Sequence, residues 1–151
     1  LFPYTTLFRS CSIQPAISYD FLVGWTKEPA ISSDLIRQVK GAIKEEFLQE
    51  SQSAVKNLEK GLREGNQKDI KTSIKRADKN LKSLNPLIYT PALKELQEST
   101  EDLFACAKSS GAGGGDCGIA LSFDPVETQI LIKRWKKKNI EVIYQERMGD
   151  S

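Results

Sequence analysis

Apolar residues recur along the chain with two periods, and the change from one to the other predicts the order of elements. Ile17, Tyr19, Phe21, Val23 and Trp25 alternate with other residues and so share one face of a β-strand, closed by Gly24 and Pro29. Ser32 or Ser33 can then cap a helix. Asp34 complements its positive end, and Leu35, Val39, Ile43 and Phe47 follow at four-residue spacing, which predicts one continuous helix. Val55, Leu58 and Leu62 predict another, ending near Gly65, and Ile70, Ile74, Ala77, Leu81 and Leu84 a third, ending before Pro86. Thr90 as N-cap and Pro91 as first helical residue open a fourth, carrying Leu93, Leu96, Leu103 and Phe104. Ile119, Leu121 and Phe123 alternate as a strand, Asp124-Pro125 opens a helix with Val126, Ile130, Leu131 and Trp135, and Ile140, Val142 and Tyr144 make a closing strand.

A strand, several helices, a glycine-turned strand region, a helix and a strand read as α+β, with the helices on one face of an antiparallel sheet. With 151 residues, 39% hydrophobic and 28% charged, the chain has apolar material for one core and one ordinary domain. Leu1 to Ser10 resembles a translated sequencing adapter and is set apart from the fold, leaving 11–151 as the domain; the natural N-terminal portion is expected to be missing. Phe2, Tyr4, Leu7 and Phe8 nevertheless have the apolar character to pack as an edge strand or loop.

Charge and composition exclude several functions. Twenty-two Lys and Arg against 20 Asp and Glu provide no global field to collect nucleic acid or an acidic membrane. No apolar run approaches the roughly 18 residues of a membrane span, so a soluble, cytoplasmic protein is expected. The chain has no histidine, which removes Ser-His and Cys-His nucleophiles, imidazole metal sites and a histidine base. Cys11, Cys106 and Cys117 lack C-x-x-C spacing and are odd in number, so reduced thiols are expected rather than disulfides or a zinc site. The basic run Lys133 to Lys138 sits at a predicted helix C-terminus, where cations complement the dipole, and reads as a solvated helix end.

One segment carries chemistry. Lys108-Ser-Ser-Gly-Ala-Gly-Gly-Gly-Asp-Cys117 places four of the ten glycines within five positions, beside two hydroxyls and a lysine. A two-residue hairpin needs one or two residues at positive φ. Four glycines let successive backbone N–H groups converge on an anion with no Cβ in the way. A flexible linker or a long hairpin has the same composition, but here a helix or short strand is expected before the loop and a strand after it, so rigid elements clamp it. The lysine precedes the glycines, unlike the order in a Walker loop.

The run Lys108 to Leu121 resembles the third motif of the galactokinase, homoserine kinase, mevalonate kinase and phosphomevalonate kinase (GHMP kinase) superfamily. Within it, the Asp116-Cys117 ending is similar to the phosphomevalonate kinase family, as are Val23-Gly-Trp-Thr-Lys-Glu-Pro-Ala30, Ile88-Tyr-Thr-Pro91 and Tyr144-Gln-Glu-Arg-Met-Gly149. The resemblance implies the C-terminal half of a two-lobed enzyme, a ferredoxin-like antiparallel sheet with added helices. It implies transfer of the ATP γ-phosphoryl to mevalonate 5-phosphate, with ATP and Mg²⁺ bound mainly by an N-terminal half whose P-x-x-x-G-L-G-S-S-A loop is absent from this chain. This chain alone is then expected to be inactive and to hold neither a catalytic residue nor a metal site.

By the same resemblance Ser110, Gly111, Ala112, Gly113 and Gly114 line the phosphate region, Ser110 also through its hydroxyl, and Lys108 either adds positive charge or faces solvent. Asp116 is expected to stabilise the loop by accepting its N–H groups rather than to act in catalysis. Ser32 matches a position that contacts substrate, and it also lies where a helix N-terminus favours an anion; a plain N-cap is the alternative. Two rival readings are another GHMP kinase such as mevalonate kinase, and a non-catalytic helical and ferredoxin-like interaction module.

Overall fold

The computed structural model describes residues 10–29, 33–111 and 115–149. The elements run β1 (Tyr19–Trp25), α1 (Ser33–Ala42), α2 (Glu45–Glu64), α3 (Gln67–Lys82), a 3₁₀ turn (Pro86–Ile88), α4 (Pro91–Glu98), β2 (Ala105–Ser109), β3 (Cys117–Ser122), α5 (Pro125–Lys137) and β4 (Glu141–Met148). The sheet order is β2-β3-β1-β4 with every neighbouring pair antiparallel. That is the ferredoxin-like order, with the added helices inserted in the first crossover. The proposed separate segment Leu1 to Ser10 falls outside the described residues except for Ser10, which is exposed. No described helix is long and apolar enough to cross a membrane.

The expected helix starts at Thr90-Pro91 and Asp124-Pro125 are present. The Thr90 side chain accepts the Leu93 N–H, and Asp124 accepts those of Val126 and Glu127. Helices cover both faces of the sheet, where one covered face was expected. On one side Leu22, Ala105, Ala107 and Ala120 pack with Leu96 of α4 and Leu131 and Trp135 of α5. On the other, Tyr19, Cys106 and Leu121 pack with Ile70 and Ile74 of α3. The reason is visible in Ala105-Cys106-Ala107 and Ile119-Ala120-Leu121, whose apolar character is nearly continuous, as in strands buried on both sides.

Two further expectations are corrected. The helix predicted through Ile43 and Phe47 breaks at Lys44, which is extended at φ −122° and ψ 171°. α1 delivers Val39 to a cluster with Ile88, Tyr89 and Leu93, whereas α2 delivers Leu58 and Leu62 to the sheet, so the two segments serve different targets. The fourth helix stops at Glu98 instead of reaching Phe104, and of the two elements open for the position before the glycine loop, helix or short strand, the chain forms the strand, β2. α5 takes up the groups freed by that early end: Arg134 donates to the Ser99 carbonyl at 3.0 Å and Glu127 accepts the Phe104 N–H at 2.5 Å.

Close approach of α4 and α5 to the sheet depends on Gly24 and Gly118, which face each other across β1 and β3. A Cβ would lie 2.8 Å from the Trp135 ring at Gly24 and 2.6 Å from Leu96 at Gly118. Trp135 can therefore lie flat in the core and donate its indole N–H to the Leu96 carbonyl at 3.0 Å. The basic run ends α5 and meets acids: Arg134 pairs with Asp102 at 2.5 Å and Lys138 with Glu95 at 3.3 Å.

Candidate functional site

The glycine loop leaves the sheet between its β2 edge strand and the central β3. Its N-terminal limb continues the ladder, with the Ser110 N–H donating to the Cys117 carbonyl at 3.1 Å. Its C-terminal limb is fixed to the segment after β1. The Asp116 N–H donates to the Glu28 carbonyl at 3.2 Å, and the Asp116 carbonyl accepts from the Thr26 N–H at 2.7 Å and the Thr26 hydroxyl at 2.8 Å. Gly115, at φ +111°, lies so close that a Cβ would stand 2.7 Å from the Pro29 carbonyl oxygen. Both ends of the loop are thus held by main-chain bonds, which limits the conformations available between them.

A second layer of support comes from α3. The Tyr89 hydroxyl accepts the Ser109 N–H at 3.0 Å and donates to the buried Asp78 carboxylate. Lys82 pairs with the other Asp78 oxygen at 2.8 Å, lies 4.4 Å over the Tyr89 ring and donates to Gln97 at 2.6 Å. Burial, and after it the bond to Asp78, raises the Tyr89 hydroxyl pKa, so it stays protonated and can keep donating.

Of the residues singled out in the sequence, Ser110 and Gly111 are exposed at the start of the loop. Ser110 spends its N–H on the sheet, leaving its hydroxyl on the outer surface. Asp116 holds the loop through its own N–H and carbonyl. Its carboxylate takes the bond from the Cys117 thiol, whose pKa is raised by burial first and by Asp116 second. Lys108 is half-buried on the face of the sheet toward α2 and α3, with its ammonium donating to the Ser109 carbonyl. Burial lowers its pKa, an effect the Asp78 charge opposes. Ser32, Ala112, Gly113 and Gly114 lie outside the described residues.

Thr26, Glu28, Asp78 and Tyr89 are the supporting residues that periodicity does not single out. The stretches Val23 to Ala30 and Ile88 to Pro91 drew attention only through their resemblance to a family. For Asp78 a physical signal exists: an acid four residues after Ile74 on the apolar stripe of a helix must find a buried partner. Among the described residues no group of three or more cysteines, aspartates or glutamates is placed to hold a metal ion.

Comparison with known proteins sets this geometry in context. Residues 51–141 match the family model described as GHMP kinases C terminal. The chain is 35% identical over 109 residues to the phosphomevalonate kinase of Streptomyces sp. (strain CL190), a match covering 66% of this chain and 29% of that protein. It superposes on the crystal structure of Streptococcus pneumoniae phosphomevalonate kinase with a TM-score of 0.89 and 46% identity, covering 97% of this chain and 47% of that one. The same enzyme in complex with phosphomevalonate and AMPPNP gives a TM-score of 0.87, 46% identity, and 95% and 45% coverage. The chain therefore spans just under half of the Streptococcus enzyme and under a third of the Streptomyces one.

Proposed function

Because this chain belongs to the GHMP kinase family, as its C-terminal domain, we propose that it forms the acceptor-side wall of a phosphomevalonate kinase. The whole enzyme passes the γ-phosphoryl of ATP to the phosphate of mevalonate 5-phosphate and gives mevalonate 5-diphosphate. The observation that carries the reading is the glycine loop held at both ends, by Ser110 to Cys117 and by Asp116 to Glu28 and Thr26. Its likeness to a phosphomevalonate kinase crystallised with phosphomevalonate supports the choice of acceptor.

Phosphoryl transfer requires positioned donors and neutralised charge more than covalent help, so a loop whose ends cannot move is suited to it. The Ser110 hydroxyl, exposed at the loop, donates to the acceptor phosphate, and Gly111, Ala112, Gly113 and Gly114 line its path with no side chain larger than a methyl. Ser32, just before α1, meets the acceptor where the helix dipole favours an anion. Lys108 lends positive charge from behind the loop. In this proposal Mg²⁺ and ATP are held mainly by an N-terminal half, and the enzyme works in the cytoplasm.

The test is a chimaera in which residues 11–151 replace the C-terminal half of the Streptococcus pneumoniae enzyme. It is expected to phosphorylate mevalonate 5-phosphate and not mevalonate. Ser110→Ala should raise KM for mevalonate 5-phosphate several-fold more than KM for ATP. Gly113→Val should lower kcat about 10²–10³-fold, the scale of losing one oxyanion donor. A Gly113→Val chimaera within about threefold of its parent, under 1 kcal/mol, would reduce the loop to a structural hairpin.

A further inference from the structure

A groove of about 350 Å³ opens between α2, α3 and the sheet, on the side of β2 and β3 away from α4 and α5. That is at the small end of ligand pockets, which run from about 300 to 1,000 Å³. Its walls are apolar: Phe47, Ala54, Leu58, Ile74, Leu81 and Ile119. The two hydroxyls in the lining are already engaged. Ser51 accepts from Asn80 at 2.9 Å, while Ser73 donates to the Asp69 carbonyl and accepts from Asn57, both at 2.7 Å.

Lys108 is the one charged residue in the lining, and it stands at the rim with Gly111. It spends one N–H on the Ser109 carbonyl, and among the described residues it forms no ion pair. A half-desolvated ammonium with two donors left over gains from an anion, and more so beside apolar walls than in water. Mevalonate 5-phosphate does not suit those walls, since its hydroxyl and carboxylate would be buried without partners. A hydrocarbon body does.

We propose that this groove binds a small aliphatic anion, with its carboxylate or phosphate head on the Lys108 ammonium beside Gly111 and its hydrocarbon body between α2, α3 and Ile119. The site goes beyond the kinase reaction and takes a ligand more apolar than the acceptor. It shares only its rim, through Lys108 and Gly111, with the glycine loop.

The experiment is an NMR titration of the isotope-labelled chain with hexyl phosphate, hexanoate, 1-hexanol and inorganic phosphate. Hexyl phosphate or hexanoate is expected to saturate, shifting the amides of Ala54, Leu58, Ile74, Gly111 and Ile119, with 1-hexanol and inorganic phosphate at least about tenfold weaker. The Lys108 ε-methylene titration should move up by about one pH unit when the groove is filled, because a bound anion favours the charged amine. Lys108→Met should reduce both anions to the level of 1-hexanol. Ala77→Leu narrows the groove while keeping the lysine, and should weaken both anions without altering the kinetics of the chimaera. Equal binding of hexanol and the anions, absence of saturation, or an unmoved Lys108 titration would each overturn the proposal.

Discussion

At Gly115 the backbone sits at φ +111°, with the Pro29 carbonyl oxygen 2.7 Å from where a Cβ would be. Gly115→Ala therefore combines a conformation that L-residues avoid with a backbone clash that no side-chain rotation relieves. The expected cost is about 1–3 kcal/mol, which for a chain of this size lowers Tm by about 2–4 °C per kcal/mol. Calorimetry of the variant checks it, and an unchanged Tm would mean that the loop is not pressed against Glu28 and Pro29. Composition alone made the glycine cluster legible as a loop. Which glycine is indispensable for stability was not legible, because the obstacle at Gly115 is contributed by Pro29, far away in the chain.

Between elements, Tyr89 joins α3 to the end of β2 through Asp78 on one side and the Ser109 N–H on the other. Tyr89→Phe leaves that buried N–H without its acceptor, at a cost of about 1–3 kcal/mol. Amide exchange at Ser109 should quicken strongly, while exchange in β1 quickens only by as much as global stability is lost. Equal quickening at both sites would show that Tyr89 contributes packing and not a link to the loop. The helix periods, the caps at Thr90 and Asp124 and the strands β1, β3 and β4 were legible from spacing. β2 was not, because Ala105-Cys106-Ala107-Lys108-Ser109 has little intrinsic strand preference and becomes a strand by pairing with β3. The break at Lys44 was hidden for a related reason: the four-residue spacing of Leu35, Val39, Ile43 and Phe47 runs on through it.

For the molecule as a whole, Cys106 reports whether both helical layers are closed over the sheet. Burial pushes its thiol from 9.0 up to about 12, so at pH 8 native Cys106 offers almost none of the reactive thiolate. Iodoacetamide should label exposed Cys11 in the native protein and Cys106 only in denaturant, as read by mass spectrometry of the peptides. Labelling of both at the same rate would mean that the α3 layer opens readily. The sign for stability follows from the raised value: the thiol's contribution is full below pH 9.0, the unfolded value, and is lost as pH climbs toward 12. By itself the sequence determined the α+β class, the number and order of most helices, and the position of the one glycine-rich loop, since these rest on local period, caps and glycine content. The tertiary structure alone decided that helices cover both faces and that Lys108 turns toward a groove. It also decided that the loop is held by Thr26, Glu28, Tyr89 and Asp78, because each of these depends on residues distant in sequence meeting across the sheet.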